Sequence, residues 1–261
     1  MENFNSGLNI TPKTNPLNFE YGEDCFGPQL EYRKLNDIRQ SLRDHHCDGP
    51  ETVYAIAMNV GKKRHFAQLK DQHLLFGVVT YASGKLGNEP IRSQGHIHKK
   101  SVYGGNWSTP EVYQIWSGKA VIYMQEYADD DPGKCYAVYA EPGDIVIVPP
   151  DWAHATISAD PNTPLTFGAW CDLDFGFEYE KVRDHKGLAW FPLLEDSGEL
   201  TWVHNHRYGN TDLIIKSPND YSEIHLKQKE SIYTQYENNP GLFLFVPKPY
   251  LIEKYWKNFI P

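Results

Sequence analysis

Residues 111–127 read EVYQIWSGKAVIYMQEY, two apolar runs, 112–116 and 120–127, interrupted by Ser117-Gly118-Lys119. Short runs rich in Val, Ile, Tyr and Trp that are separated by a glycine-bearing turn predict strands. The same pattern continues on both sides. Upstream lie 52–59 and 74–82; downstream lie 135–140, 145–148 and 165–170, with Gly, Pro or Asp clusters between them. Many short strands without long intervening helices predict an all-β antiparallel sandwich or barrel, because alternating βαβ units would need helical crossovers that are missing from 51–179.

The flanks read differently. Residues 32–43, YRKLNDIRQSLR, set Leu35, Ile38 and Leu42 at helical spacing among charges, which predicts one amphipathic helix packed on the sheet. Beyond Tyr179 the spacing predicts helices over 218–226 and 231–237, the second closed by Asn239-Pro240-Gly241. Residues 128–132, ADDDP, predict a charged turn between two strands. The chain divides into an N-terminal arm and helix (1–50), a barrel carrying the chemistry (51–180) and a C-terminal extension (181–261).

Composition narrows the partners. The 261 residues hold Lys+Arg 25 against Asp+Glu 34, a net charge of −9, which repels phosphate backbones and anionic lipid. Nucleic acid and membrane partners are therefore not expected. Cys25, Cys47, Cys135 and Cys171 form no CxxC pair, so free buried thiols are expected and not a disulfide framework. No apolar stretch reaches the length of a membrane span, and residues 1–20 lack a signal-peptide core, so a soluble cytoplasmic protein is expected.

The chemistry is concentrated in Gly95-His96-Ile97-His98, Glu111-Val112-Tyr113, Gly118 and Pro149-Pro150-Asp151-Trp152-Ala153-His154. Side chains two apart on a strand share a face, so His96 and His98 can present two imidazoles to one point, and Glu111 and His154 from neighbouring strands can complete the site. Three imidazoles and one carboxylate suit a first-row divalent cation with open positions; iron(II), manganese, nickel and zinc all satisfy that donor set. The second pair, His204 and His206, lacks such companions and reads as a solvent-facing strand or loop. His45-His46 reads as a helix end or turn.

These motifs resemble the cupin superfamily, whose first motif is matched by His96, His98, Glu111 and Gly118 and whose second is matched by Gly143, Pro149, Asp151 and His154. Three departures stand out. Asp151 replaces the usual Gly, Ser158 replaces the usual Asn, and the twelve residues 99–110 between His98 and Glu111 read as an inserted loop at the mouth of the site, where the Gly104-Gly105 pair reads either as a turn or as part of a lid. A narrower resemblance is to the cupin-type glucose-6-phosphate isomerases of archaea and some bacteria, whose signature is similar to Thr80, Ser93-Gln94-Gly95-His96-Ile97-His98, Glu111-Val112-Tyr113 and Pro149-Pro150-Asp151-Trp152-Ala153-His154.

That resemblance implies a double-stranded β-helix barrel, one divalent metal ion held by His96, His98, Glu111 and His154 with iron(II) foremost, and a homodimer. It implies that Thr80, Ser93 and the Gly95 backbone hold the phosphate of a sugar phosphate. Tyr113 and Tyr179 would contact the sugar, Trp170 would stand where the family has a further tyrosine, and Glu111 would be the base. Strict alternation sets Ser93 on the face opposite the histidines, so it reaches the site only if the strand begins or bulges near Gly95. Proton transfer through a cis-enediolate and a metal-assisted hydride shift both suit these parts. Another metal-dependent cupin enzyme, either an isomerase of a different sugar phosphate or an oxygenase, and a non-catalytic sugar-binding cupin also stay open at this point.

Overall fold

The computed structural model describes residues 4–261. Ten strands carry the architecture: β1 (Glu31–Lys34), β2 (Thr52–Met58), β3 (Leu74–Tyr81), β4 (Glu111–Ser117), β5 (Ala120–Gln125), β6 (Cys135–Ala140), β7 (Ile145–Val148), β8 (Ala153–Ser158), β9 (Thr166–Asp172) and β10 (Leu213–Lys216). A six-stranded sheet runs in the order β7-β4-β9-β3-β2-β1, and a four-stranded sheet runs β8-β5-β6-β10. Every pairing is antiparallel except β6 with β10. Isolated bridges from Arg92 to Ile157 and from His96 to His154 carry the connecting segment along the open edge of β8, so the two sheets are laced together at the site end. This is the cupin double-stranded β-helix barrel.

Gly118 and Asp151 show why the motif positions are what they are. Gly118 turns β4 into β5 at φ 76°, and a Cβ there would stand 2.8 Å from the Pro164 carbonyl oxygen. Asp151 takes φ 69°, the left-handed conformation that glycine adopts most readily and that Asp tolerates better than most residues. The departure from glycine therefore preserves the backbone.

Strands β5 and β9 are buried along their whole lengths, not on alternate residues. The reason lies in the C-terminal extension. Trp170 projects from β9 away from the barrel interior and packs against Phe76, Tyr233, Tyr236 and Phe243, with ring centroids 4.7, 5.5, 4.9 and 5.4 Å away. The helix Ile232–Asn238 is capped by Ser231, whose Oγ accepts the Thr234 N–H at 3.0 Å. It is bolted to β4 by Gln114, which accepts the Ile232 N–H at 2.8 Å and donates to the Glu230 carbonyl at 2.9 Å. Residues 232–246 thus share one hydrophobic core with the barrel.

Three expectations are corrected. The helix predicted over 32–43 is only Leu35–Ile38 with a single 3-10 turn after it, because residues 31–34 pair with β2 and the run of apolar spacing is too short to propagate. Residues 218–226 hold a 3-10 turn, Ser222–Ile224, flanked by Tyr221 and His225 at positive φ, which blocks a longer helix. The insertion 99–110 forms a small hairpin, Lys100–Ser101 with Trp107–Ser108, that leans on the C-terminal extension. Tyr103 stacks on His73 at 3.6 Å beneath Lys248, and Gly104 abuts the Pro247 carbonyl. It is a buttress beside the barrel and does not cover the cavity as a lid. No described helix is long and apolar enough to cross a membrane.

Candidate metal centre and active cavity

Strand β4 turns Glu111 and Tyr113 to the same interior face. Across from it, the His96 and His154 backbones exchange both hydrogen bonds, at 3.0 and 2.9 Å, and His98 pairs with Phe177. One ligand atom from each of His96, His98, Glu111 and His154 falls within 4.8 Å of every other, the one group of this kind among the described residues. Glu111 Oε2 is the focus. It lies 3.2 Å from His98 Nε2 and 3.4 Å from His154 Nε2, and it accepts the Tyr113 hydroxyl at 2.6 Å. Its other oxygen faces the buried Cys171 thiol, which donates to Oε1 at 3.4 Å.

The imidazoles are oriented from behind. His98 Nδ1 meets the Thr109 carbonyl at 2.8 Å and His154 Nδ1 meets the Trp152 carbonyl at 3.2 Å, so each ring is fixed with its Nε2 turned to the cluster. Ser108 also donates to the His98 carbonyl at 2.8 Å, so the base of the insertion is what steadies this ligand. The Nε2 atoms of His96 and His98 are buried and have no hydrogen-bond partner. Orphaned nitrogens aimed at a carboxylate are costly to leave unpaired, and a divalent cation satisfies all of them at once. The donor set and the orphaned atoms fit a metal.

Burial, with the neighbouring imidazoles, pushes the His96 pKa well below its ordinary value, and burial lowers His154 despite its hydrogen bond to Glu111. Both are neutral imidazoles near neutral pH. Burial alone would raise Glu111, but its hydrogen bond with His154 and the His98 imidazole 3.2 Å away override it and hold the carboxyl well below the usual range. Burial and then the Glu111 charge push Tyr113 well above its ordinary value, so it is a hydroxyl donor. A pH dependence follows. Unfolded chains protonate these histidines near pH 6.5 while the native state does not, so metal-free protein is expected to lose stability as pH falls through about 6.5, by up to about 1.4 kcal/mol per pH unit for each imidazole. Glu111 contributes in a lower window, its stabilisation being lost progressively as pH falls from the ordinary carboxylate range towards its depressed folded value. Urea midpoints measured at steps between about pH 7.5 and 5.5 check this, and a flat profile contradicts it.

The cavity beside the cluster is lined by Ser93, Gln94, His96, Glu111, Tyr113 and Tyr179, among others. Ser93 reaches it because Gly95, at φ 91°, breaks the alternation between residues 94 and 96, as the conditional reading required; a Cβ on Gly95 would stand 2.9 Å from Leu188. The Ser93 hydroxyl accepts the Thr156 N–H at 3.1 Å. Two residues singled out in the sequence lie elsewhere. Thr80 turns to the opposite face of β3, where it shares a 2.9 Å hydrogen bond with Thr166, and Val79 lines the cavity in its place. Trp170 likewise sits on the outer face of β9, donating to the Ile232 carbonyl, while the adjacent Cys171 faces the metal ligands. In each case the side chain that faces inward is one residue away, and on a strand one residue exchanges the faces.

The sequence reading missed Arg33. It sits on β1 opposite Tyr54, lines the same cavity, and keeps a buried Nε without any hydrogen-bond partner. Its only sequence signal was a place in a segment read as helix, which hid the strand face it occupies. Phe175 and Phe177 close the wall by the histidines, with Phe177 4.5 Å from the His96 ring. His204 and His206 stay apart from this cluster, His204 Nε2 bonding the Gly209 carbonyl at 3.1 Å.

Comparison with known proteins agrees with this geometry. A family model described as glucose-6-phosphate isomerase matches residues 37–210. Over 182 residues, 67% of this chain and 86% of the relative, the chain is 31% identical to a protein named glucose-6-phosphate isomerase from Thermococcus litoralis. It is 29% identical over 190 residues, 70% of this chain and 89% of the relative, to one of the same name from Thermococcus gammatolerans. A third, from Pyrococcus horikoshii, is 31% identical over 141 residues, 54% of this chain and 68% of the relative. The matched region spans β2 to β9 and all four candidate ligands, and on these matches the chain belongs to the glucose-6-phosphate isomerase family.

Proposed function

We propose that the chain interconverts glucose 6-phosphate and fructose 6-phosphate, the aldose–ketose step shared by glycolysis and gluconeogenesis, in the cytoplasm and with one divalent metal per subunit. The observation that carries this reading is the meeting, in one cavity, of the four-donor cluster with an arginine whose buried Nε has no hydrogen-bond partner and which suits a phosphate. Iron(II) is the proposed metal, and manganese, zinc and nickel are the competitors. When bound, a divalent cation supplies a Lewis acid that stabilises negative charge as it develops on the substrate oxygens.

The protein groups divide the remaining work. Glu111 is ionised and stands 2.6 Å from the Tyr113 hydroxyl, so the carboxylate can take the proton from the carbon beside the carbonyl while Tyr113 orients or relays a hydroxyl proton. A carboxylate held this acidic is a weak base. A hydride shift with Glu111 acting only as a ligand is therefore the second mechanism, and incorporation of solvent deuterium separates the two. Tyr179, half-buried beneath Arg183, borders the sugar, and the apolar wall of Phe175 and Phe177 excludes water. Ser93, the Gly95 backbone and Arg33 take the phosphate end; the Arg33 guanidinium is the strongest of these, since a charged donor roughly doubles a hydrogen bond. Open strand β10, with Ile214 and Ile215 exposed, offers an edge for the proposed homodimer.

Arg33→Gln is expected to lower kcat/KM roughly 10- to 150-fold, the scale of about 1.5–3 kcal/mol for a hydrogen bond to a charged group, chiefly by raising KM. Steady-state kinetics with fructose 6-phosphate check it, and an unchanged KM contradicts the assignment. The reaction itself is tested by a coupled assay of fructose 6-phosphate conversion by the purified chain; absence of turnover with every metal contradicts the reading.

A further inference from the structure

On the flank of the barrel, away from the active cavity, an open groove of ≈ 410 Å³ is lined by Arg43, Asp44, Lys186 and Arg207 above Leu42 and Phe191, among others. Three permanent cations face one carboxylate in a chain whose net charge is −9. Arg43, Lys186 and Arg207 are exposed and take no part in the ion pairs of the described residues. Three unpaired cations around one groove repel one another, and a counter-ion relieves that repulsion.

The walls that hold these cations are fixed. The Arg43 N–H donates to Glu89 Oε1 at 2.6 Å, and Glu89 is itself buried against Arg92. Arg39 pins the 45–47 turn through the His45 and Cys47 carbonyls at 3.1 and 2.8 Å. Asn205, 5% exposed, spends its whole side chain on the groove, donating to the His185 and Leu188 carbonyls at 2.9 and 3.1 Å and accepting the Arg207 N–H at 3.2 Å. Lys186 is presented at φ 58°, and the Gly187 carbonyl after it accepts the Tyr208 hydroxyl. Three separate chain segments with fixed backbones thus carry Arg43, Lys186 and Arg207 to the rim of one groove that also holds Leu42 and Phe191.

We infer that this groove binds a small, multiply charged anion bearing phosphate or carboxylate groups, at a site separate from the active cavity. A polyanionic polymer is disfavoured because the rest of the −9 surface repels it beyond the groove, whereas a small anion meets only the local cations. Cations carried on a fixed backbone give charge-assisted hydrogen bonds, offset in part by the cost of ordering three long side chains.

The test is isothermal titration of the full chain at low ionic strength with inorganic phosphate and, in parallel, with succinate. Arg33→Gln protein is expected to keep one saturable event per chain. Adding Lys186→Glu and Arg207→Glu is expected to weaken that event tenfold or more, about what losing one charge-assisted hydrogen bond does. With Arg33 intact, that double variant keeps its isomerase turnover. Asp44→Asn, which removes the one opposing carboxylate, is expected to tighten the same event, a gain that a misfolded protein cannot produce. Preference for phosphate or for succinate identifies the head group. The inference is overturned if binding vanishes with Arg33→Gln alone, or if the charge reversals and Asp44→Asn leave the affinity unchanged.

Discussion

Glu111→Gln protein, reloaded with divalent metal to the same content as the parent, is expected to turn over roughly 10²–10⁴ times more slowly, the range over which a positioned acid or base contributes. Glutamine keeps the size of the side chain and one oxygen, so the barrel and the three imidazoles should be undisturbed. What is lost is the negative charge. In the parent, Oε2 draws the Tyr113 hydroxyl to 2.6 Å and faces two imidazoles within 3.4 Å, an arrangement that only an anionic oxygen stabilises fully. Matching the metal content separates the two roles of this residue. A rate equal to that of the parent at equal metal content removes Glu111 from the chemistry and leaves it a ligand; a metal site that cannot be refilled makes the ligand role dominant.

The second large effect concerns stability. Trp170→Ala is expected to cost about 3–5 kcal/mol, as deletions of large buried aromatics do, against a total stability for such domains of about 5–15 kcal/mol. The indole is fully buried, and it is where β9 meets the C-terminal extension through Tyr233, Tyr236 and Phe243. Removing it opens a cavity shared by both parts of the core. For a chain of this length such a loss lowers Tm by about 6–20 °C, which thermal denaturation measures directly. The same experiment decides between two positions for this residue. A large drop in Tm with KM unchanged fits an outer-face core residue, whereas an unchanged Tm with a raised KM would return Trp170 to the substrate wall.

The fate of Trp170 and Thr80 shows where sequence reading stops. His96, His98, Glu111 and His154 were legible because the first two are a local i, i+2 pair and the others close motifs of fixed spacing, so no long-range register had to be known. The strands were legible from runs of Val, Ile and aromatic residues between turn residues, and the runs at 135–140 and 145–148 match β6 and β7 end to end. Face assignment on β3 and β9 was not legible. Leu74–Tyr81 and Thr166–Asp172 are apolar on both faces because the extension covers the outside, so no alternation marked which residues turn inward, and a shift of one residue reversed the answer. Arg33 was hidden for a related reason. Leu35, Ile38 and Leu42 have helical spacing, yet Glu31–Lys34 gains more by pairing with β2, and tertiary pairing overrode local propensity.

The insertion and the extension were illegible together, since each makes sense only against the other. Lys248 over Tyr103 and Pro247 against Gly104 are contacts between segments well over a hundred residues apart, and nothing in 99–110 alone announces them. Their meeting nonetheless bears on the site, because Ser108 and Thr109 at the base of the hairpin hold His98 by its carbonyl and its Nδ1.

The central claim is that one cavity combines a divalent-metal cluster with isomerase chemistry on a sugar phosphate. Its most direct test is the coupled fructose 6-phosphate assay on EDTA-stripped protein, before and after adding iron(II), manganese, zinc or nickel, with metal content measured alongside. The account predicts that turnover disappears on stripping and returns with about one equivalent of metal per chain, iron(II) restoring it best. Full turnover in protein shown to hold no metal, or metal bound at one equivalent with no turnover under any of the four ions, would contradict it.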